Sequence, residues 1–222
     1  MILLEYLRNN SIQMNIKKLP IFLFIGLITG SCIKTGVVTT MIKESKDLFK
    51  RELTNHFPVE FNGRNARLLI SEPTIYTDIQ YGCRIHLLLT NASKEIERFE
   101  NLTSSYKGIY NPDDSCLLII RRFGLNYKEK YQSYSDSLLT VCNRLSLPIP
   151  NFEYLNQSFN IVSYLLPDDF TLYVIDAEPG VFIDTTCLSQ GLGLPEYWKN
   201  GFSKGIAVSK KREAIVYWLD VW

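Results

Sequence analysis

Histidine is the scarcest residue type in this chain, with only His56 and His86 among 222 residues. Neither lies at metal-binding spacing from a second ligand, and there is no His-Glu-x-x-His or Cys-x-x-Cys motif to hold zinc. No Gly-x-Ser-x-Gly motif nominates a serine nucleophile either. We therefore expect structural roles for both histidines, and we predict neither a metal site nor a cofactor.

An excess of charge of one sign and long hydrophobic runs are also missing. The formal net charge is +1 and no basic stripe stands out, so the sequence gives no electrostatic footprint for a nucleic-acid partner. No period of about 20 to 50 residues repeats, which argues against a solenoid. The apolar segment Leu19–Gly30 has 12 residues, whereas a membrane-spanning helix needs about 20.

That short apolar segment has informative neighbours. Lys17 and Lys18 precede it, and Ser31 and Cys32 follow it. A basic start, a short apolar core and small residues at the end form the layout of a secretory signal. An ordinary secretory signal and an uncleaved short anchor are the alternatives to the more specific interpretation below.

The end of the segment, Leu27-Ile28-Thr29-Gly30-Ser31-Cys32, resembles the lipobox of bacterial lipoproteins. Gly30, Ser31 and Cys32 match that pattern, whereas Thr29 stands where the family usually has leucine. The resemblance implies that the Cys32 thiol is acylated with diacylglycerol and that the signal is cut just before it. It also implies a protein held by lipid to a membrane of the bacterial cell envelope.

The resemblance sets the expected organisation of the chain. We expect residues 1–31 to be a signal peptide, 32–40 a lipid tether and 41–222 a single globular domain. Because the signal layout begins at Met14, we interpret residues 1–13 as an artefact of the assigned start site. Four cysteines then remain for the domain, enough for two disulfides outside the cytoplasm, although we favour buried thiols. They are Cys83, Cys116, Cys142 and Cys187.

The remaining chain mixes helical and strand patterns. Apolar residues at helical spacing predict two main amphipathic helices, over 41–57 and 127–145, and Asn91 or Ser93 is expected to cap a shorter one. Strand patterns include a run over 115–123 expected at the centre of its sheet, another over 159–166, and a C-terminal β-hairpin around Lys210–Glu213. We therefore predict an α+β fold with a largely antiparallel sheet.

Three carboxylates are the weak candidates for a catalytic role. Asp176 and Glu178 are two apart at a predicted strand end, so they would project on one face, and Asp184 would return beside them after the turn at Gly180. Converging carboxylates could bind a divalent cation or supply an acid and a base to a glycosidic bond. Turns are also rich in acidic residues for solubility alone, which is the commoner explanation.

Tyr197, Trp198 and Phe202 are the weak candidates for binding, because aromatic faces in loops stack on sugars or bury against partners. Packing onto the core is the simpler explanation. Together these observations favour a non-enzymatic envelope lipoprotein, a binding or interaction module of adaptor or immunity type, with a protein or glycan partner. The alternative is a lipid-anchored glycan or peptide hydrolase that uses the carboxylates.

Overall fold

A computed structural model describes residues 40, 43, 49–71, 75–76, 79–80, 83–101, 105–114, 117–120, 146–160, 163, 165–183 and 194–222. These residues all belong to one compact unit, Ser31–Trp222. Within these ranges, no helix is both long and apolar enough to cross a membrane. The predicted signal segment, Cys32 and the predicted helix over 127–145 lie outside the described residues.

The described elements are short helices and ten strands. The helices are α1 Arg51–Thr54, α2 Ser93–Glu100 and α3 Glu153–Asn156, with 3₁₀ turns at Gly63–Asn65, Gln157–Phe159 and Glu196–Trp198. The strands are β1 Ala66–Ser71, β2 Ile75–Tyr76, β3 Ile79–Gln80, β4 Cys83–Leu89, β5 Gly108–Tyr110, β6 Leu118–Ile120, β7 Pro148–Pro150, β8 Thr171–Pro179, β9 Gly201–Ser209 and β10 Ala214–Val221.

Six strands form the main sheet, in the order β1-β4-β10-β9-β8-β5. Every neighbouring pair in it is antiparallel, which confirms the predicted α+β fold with a largely antiparallel sheet. The predicted C-terminal hairpin is also confirmed, because β9 and β10 pair from Ala214 opposite Ser209 to Val221 opposite Phe202. The strand pairs β2–β3 and β6–β7 form two smaller sheets.

Both faces of the central strands β4, β10 and β9 are buried. Ile215, Tyr217 and Leu219 of β10 lie on one face, in a core that includes Leu53 of α1 and Phe99 of α2. The alternate residues of β10 lie on the other face and pack with β6, β7 and the α3 region. Because side chains of a strand alternate between faces, a strand covered on both sides is apolar throughout. The central position of β10 explains why all eight of its residues are buried.

The structure corrects the expected continuous helix over 41–57. Thr40 and Lys43 are helical, but Lys50 is extended, with ψ 140°, and α1 occupies only Arg51–Thr54. An extended residue cannot continue the i to i−4 hydrogen-bond pattern, so the chain turns before α1. The helix after β4 begins after Ala92, not after a side-chain cap. Its first residue, Ser93, instead donates its hydroxyl to Glu213 Oε1 at 2.8 Å.

Two strand predictions are also corrected. Of the run over 115–123, residues 118–120 form β6, which in the described part of the chain pairs in parallel with β7 outside the main sheet. Two prolines in β7 lack the N–H groups that a central ladder needs, which suits a small peripheral pair. The run over 159–166 begins with the 3₁₀ turn Gln157–Phe159, and Asn160 adopts φ 57°, which ends it.

Candidate functional site

The predicted carboxylates lie beside a lysine. In β8 a bulge between Val174 and Asp176 shifts the register, and Lys107 Nζ then lies 2.6 Å from Asp176 Oδ1 and 3.3 Å from Glu178 Oε1. Both carboxylates therefore meet at one ammonium group, at the partly exposed edge of the sheet. Asp184, the third candidate, lies outside the described residues.

The environment of this ion-pair cluster shifts the pKa values of two lysines, Lys107 and Lys204. The hydrogen bond from Lys107 to Asp176 is the main reason that the pKa of Lys107 is raised, and the charges of Asp176 and Glu178 add to it. On the neighbouring strand, burial lowers the pKa of Lys204, whose Nζ donates to the Glu52 carbonyl at 2.6 Å.

No group of three or more His, Cys, Asp or Glu side chains in the described ranges could hold a metal ion. The carboxylates of β8 meet a lysine, and His86 lies buried in the core against Asp220. Of the cysteines, Cys83 lies buried in β4, and Cys116, Cys142 and Cys187 fall outside the described residues.

The three candidate aromatic residues do not form one cluster. Trp198 packs with Trp222 on one face of the sheet, with ring centroids 6.0 Å apart, and its carbonyl accepts a hydrogen bond from Trp222 Nε1 at 2.8 Å. Phe202 points to the opposite face, edge-on to Phe182 at 4.5 Å. Only Tyr197 is substantially exposed, at 50%. Trp198 and Phe202 therefore stabilise the core, and Tyr197 alone remains available for binding.

A buried charge network is the feature that the sequence reasoning missed. Arg84 lies opposite Asp220 in the pairing of β4 with β10, and His86 follows on the same face. His86 Nε2 lies 2.5 Å from Asp220 Oδ2, and Arg84 Nε lies 3.4 Å from Asp220 Oδ1. Burial lowers the pKa of Arg84, and the charge of Asp220 offsets part of that effect. The sequence signals were two basic residues at alternate positions of one apolar strand, Arg84 and His86, and one acidic residue, Asp220, in another.

This network is fully enclosed, with all three side chains at most 1% exposed. Phe152 covers it, with its ring centroid 5.8 Å from that of His86. A site without solvent access cannot receive a ligand in this conformation. Its geometry instead joins β4 to β10, because the two basic side chains come from β4 and the carboxylate between them comes from β10.

One groove among the described residues has a volume of about 360 Å³. Ile206 of β9 and Tyr217 of β10 form its floor, α2 forms one wall, and the segment after α1 forms the other. Pockets for ligands combine an apolar surface with a few convergent polar groups, as this one does. Its lining residues are His56, Pro58, Val59, Glu60, Glu95, Arg98, Phe99, Ile206 and Tyr217.

The polar groups of the groove are of two kinds, one already held by a hydrogen bond within the protein and the others open to a ligand. His56 Nε2–H donates to the Trp218 carbonyl at 2.8 Å, which holds the ring against the sheet. Glu60, Glu95 and Arg98 form no ion pair within the described residues. The groove therefore presents three charges to a ligand. Sequence reasoning missed it because its lining comes from three segments that are distant along the chain.

The pKa of Tyr217 depends on burial and on the charges that line the groove. Burial raises its pKa to about 12, the negative charge of Glu95 contributes in the same direction, and the positive charge of Arg98 opposes it with a smaller effect. The phenol is therefore neutral near neutral pH and can act as a hydrogen-bond donor, not as a base.

A second depression, of about 380 Å³, lies on the other side of Glu95. It is lined largely by polar residues around the start of α2, including Asn62, Asn65 and Ser93. The first groove has the more apolar lining, which makes it the better candidate for a binding site.

No known protein-family model, curated protein or solved structure matches this chain.

Proposed function

We propose that this protein is a bacterial envelope lipoprotein, tethered to a membrane by lipid on Cys32, whose folded domain is a non-enzymatic binding or interaction module. The observation that carries the anchoring is the sequence Leu27–Cys32 after two lysines and a short apolar segment. Two or three acyl chains on one cysteine give stable attachment, whereas a single chain holds a protein only marginally.

The binding role is supported by the groove between α2 and the segment after α1. It combines an apolar floor with the charges of Glu60, Glu95 and Arg98, which form no ion pair with any other described residue, and this is the arrangement expected of a recognition surface. An adaptor or immunity-type protein with a protein partner fits such a surface. The hydrolase alternative has less support, because Asp176 and Glu178 share the ammonium of Lys107.

Labelling with a radioactive or clickable fatty acid tests the anchor. We expect the wild-type chain to be labelled and to sediment with membranes, and Cys32→Ser to lose the label and become extractable by salt. Cys116→Ser, the same substitution elsewhere in the chain, should behave as wild type. A membrane-bound and labelled Cys32→Ser protein would refute the lipoprotein assignment.

Affinity capture tests the binding role. The full chain, solubilised in mild detergent, is presented to envelope proteins and glycans, and the captured partner is compared between Glu95→Lys and Glu97→Lys. Both residues belong to α2, but only Glu95 lines the groove. We expect capture to fail for Glu95→Lys alone. Equal capture by both variants would place the binding surface elsewhere.

A further inference from the structure

The groove has the dimensions of a pocket for a single long side chain. At about 360 Å³ it lies near the lower end of the range of about 300–1,000 Å³ for ligand sites. One long side chain and a stretch of backbone would fill much of that space. Because Ile206 and Tyr217 come from the central strands of the sheet, the floor is rigid and already formed.

The charges of the groove favour a cation. Two carboxylates, of Glu60 and Glu95, and one guanidinium, of Arg98, line it. The two carboxylates outnumber the guanidinium, so the charged lining residues carry a net negative charge. A cationic ligand would find two carboxylate partners that are not engaged elsewhere in the described structure.

The apolar part of the groove favours an arginine over a compact cation. Phe99 and Tyr217 offer aromatic rings, and Pro58 and Ile206 offer aliphatic surface for a long stem. A planar guanidinium stacks on aromatic rings and binds carboxylates through two parallel hydrogen bonds, whereas an ammonium is a strongly hydrated point charge. Arginine is also enriched among the residues that dominate protein–protein interfaces.

We propose that the groove receives an arginine side chain of a protein partner, with its stem along Phe99 and Ile206 and its guanidinium between Glu60 and Glu95. Arg98, at the exposed edge, is then placed to meet a carboxylate of the same partner. The proposal deepens the interaction role given above and rests on it for the existence of a partner. It assigns the class of residue that the partner must present.

The test uses short peptides and the full chain in detergent micelles, followed by NMR. The probes are acetyl-Gly-Arg-Gly-amide and its citrulline analogue, which has nearly the same shape without the charge. We expect the arginine peptide to shift the resonances of Tyr217 and α2, with affinity at least about tenfold higher than that of citrulline. Glu95→Gln should remove most of this difference, and the matched control Glu97→Gln should preserve it.

Three outcomes would overturn the proposal. The first is equal binding of the arginine and citrulline peptides, and the second is preferential binding of acetyl-Gly-Glu-Gly-amide. The third is the absence of resonance shifts at the groove up to about 10 mM peptide, a concentration at which even millimolar dissociation constants are detected. Because the titration needs no natural partner, its failure leaves the capture experiment intact. Loss of capture by Glu95→Lys together with a failed arginine titration would mean that the groove binds a different group.

Discussion

At the scale of single residues, Asp220 has the strongest electrostatic role in the described core. Its carboxylate meets both Arg84 and His86 in a fully buried position. We expect Asp220→Asn to lower the free energy of unfolding by about 3–5 kcal/mol, because it removes the carboxylate charge from a buried ion pair. Urea denaturation followed by tryptophan fluorescence measures this loss.

Asp113→Asn is the matched control, since Asp113 is exposed and forms no ion pair within the described chain. That variant should unfold at the wild-type urea concentration. An Asp220→Asn protein as stable as the control would mean that the network adds nothing to the pairing of β4 with β10.

Asp169 gives the domain a predictable response to acid. Burial pushes its pKa up, but hydrogen bonds from Ser209 and Arg212 and the charge of Arg212 push it further down, so the net shift is below the ordinary 3.8. A lowered pKa means stability that is complete above 3.8 and lost as the pH falls through the folded-state value. The stability difference between wild type and Asp169→Asn should therefore be constant above about pH 5 and shrink below pH 3.8.

Urea midpoints for both proteins from pH 2.5 to 7 would provide the measurement, over a window that brackets the ordinary aspartate pKa of about 3.9. Asp168→Asn, at the exposed neighbouring position, controls for the loss of a charge. A difference between wild type and Asp169→Asn that grew on acidification would contradict the assigned direction of the shift.

At the scale of elements, the features predicted correctly are those with local signals. Apolar runs on both sides of Lys210–Glu213 predict the hairpin β9–β10, and in the structure the turn lies at these residues. The β6–β7 pair joins segments about 30 residues apart and includes two prolines, so no local pattern predicts it. The extended backbone of Lys50 interrupts the expected first helix, and the spacing of apolar residues does not reveal this interruption.

Within the hairpin, neighbouring atoms surround Gly205 so closely that they leave no room for a side chain. A Cβ atom at this position would overlap the ring of Trp218 and the backbone carbonyl of Tyr173. We expect Gly205→Ala to cost about 1–3 kcal/mol of stability, because neither a buried indole nor a paired strand can move freely. Chemical denaturation gives the value.

A double-mutant cycle distinguishes this crowding from an intrinsic backbone effect. Trp218→Phe removes the ring atoms nearest to the added methyl group, so Gly205→Ala should be less costly in that background. Strict additivity of the two substitutions would argue against the contact with the indole.

At the scale of the whole molecule, the important contacts join distant parts of the chain. The pairing of Arg84 with Asp220 depends on the register between β4 and β10, and the groove combines residues near 56, 95 and 206. Composition and local spacing cannot predict such combinations, which is why the sequence suggested Asp176, Glu178 and the aromatic loop instead. The buried network could have been suspected from Arg84 and His86 in one apolar strand and Asp220 in another, but their register could not.

Because of its position in the sheet, we expect β10 to be required for the whole sheet to fold. β10 lies between β4 and β9, and Trp222 donates its indole N–H to the Trp198 carbonyl and its backbone N–H to Gly201. Deleting residues 218–222 would remove the β10 residues that pair with Cys83, Arg84, Ile85 and His86 of β4, and it would expose both cores. We expect that truncated chain to lack a cooperative unfolding transition and to be degraded rapidly by protease.

Trp222→Leu keeps every backbone hydrogen bond of the strand and removes only one indole from the core. It should remain folded and lose a few kcal/mol, about 2–4 by analogy with other large-to-small core changes. Circular dichroism and limited proteolysis of the two variants separate the roles of backbone and side chain. A truncated chain that unfolded cooperatively would show that β1, β4 and the helices form a stable unit without β10, which the burial of both sheet faces argues against.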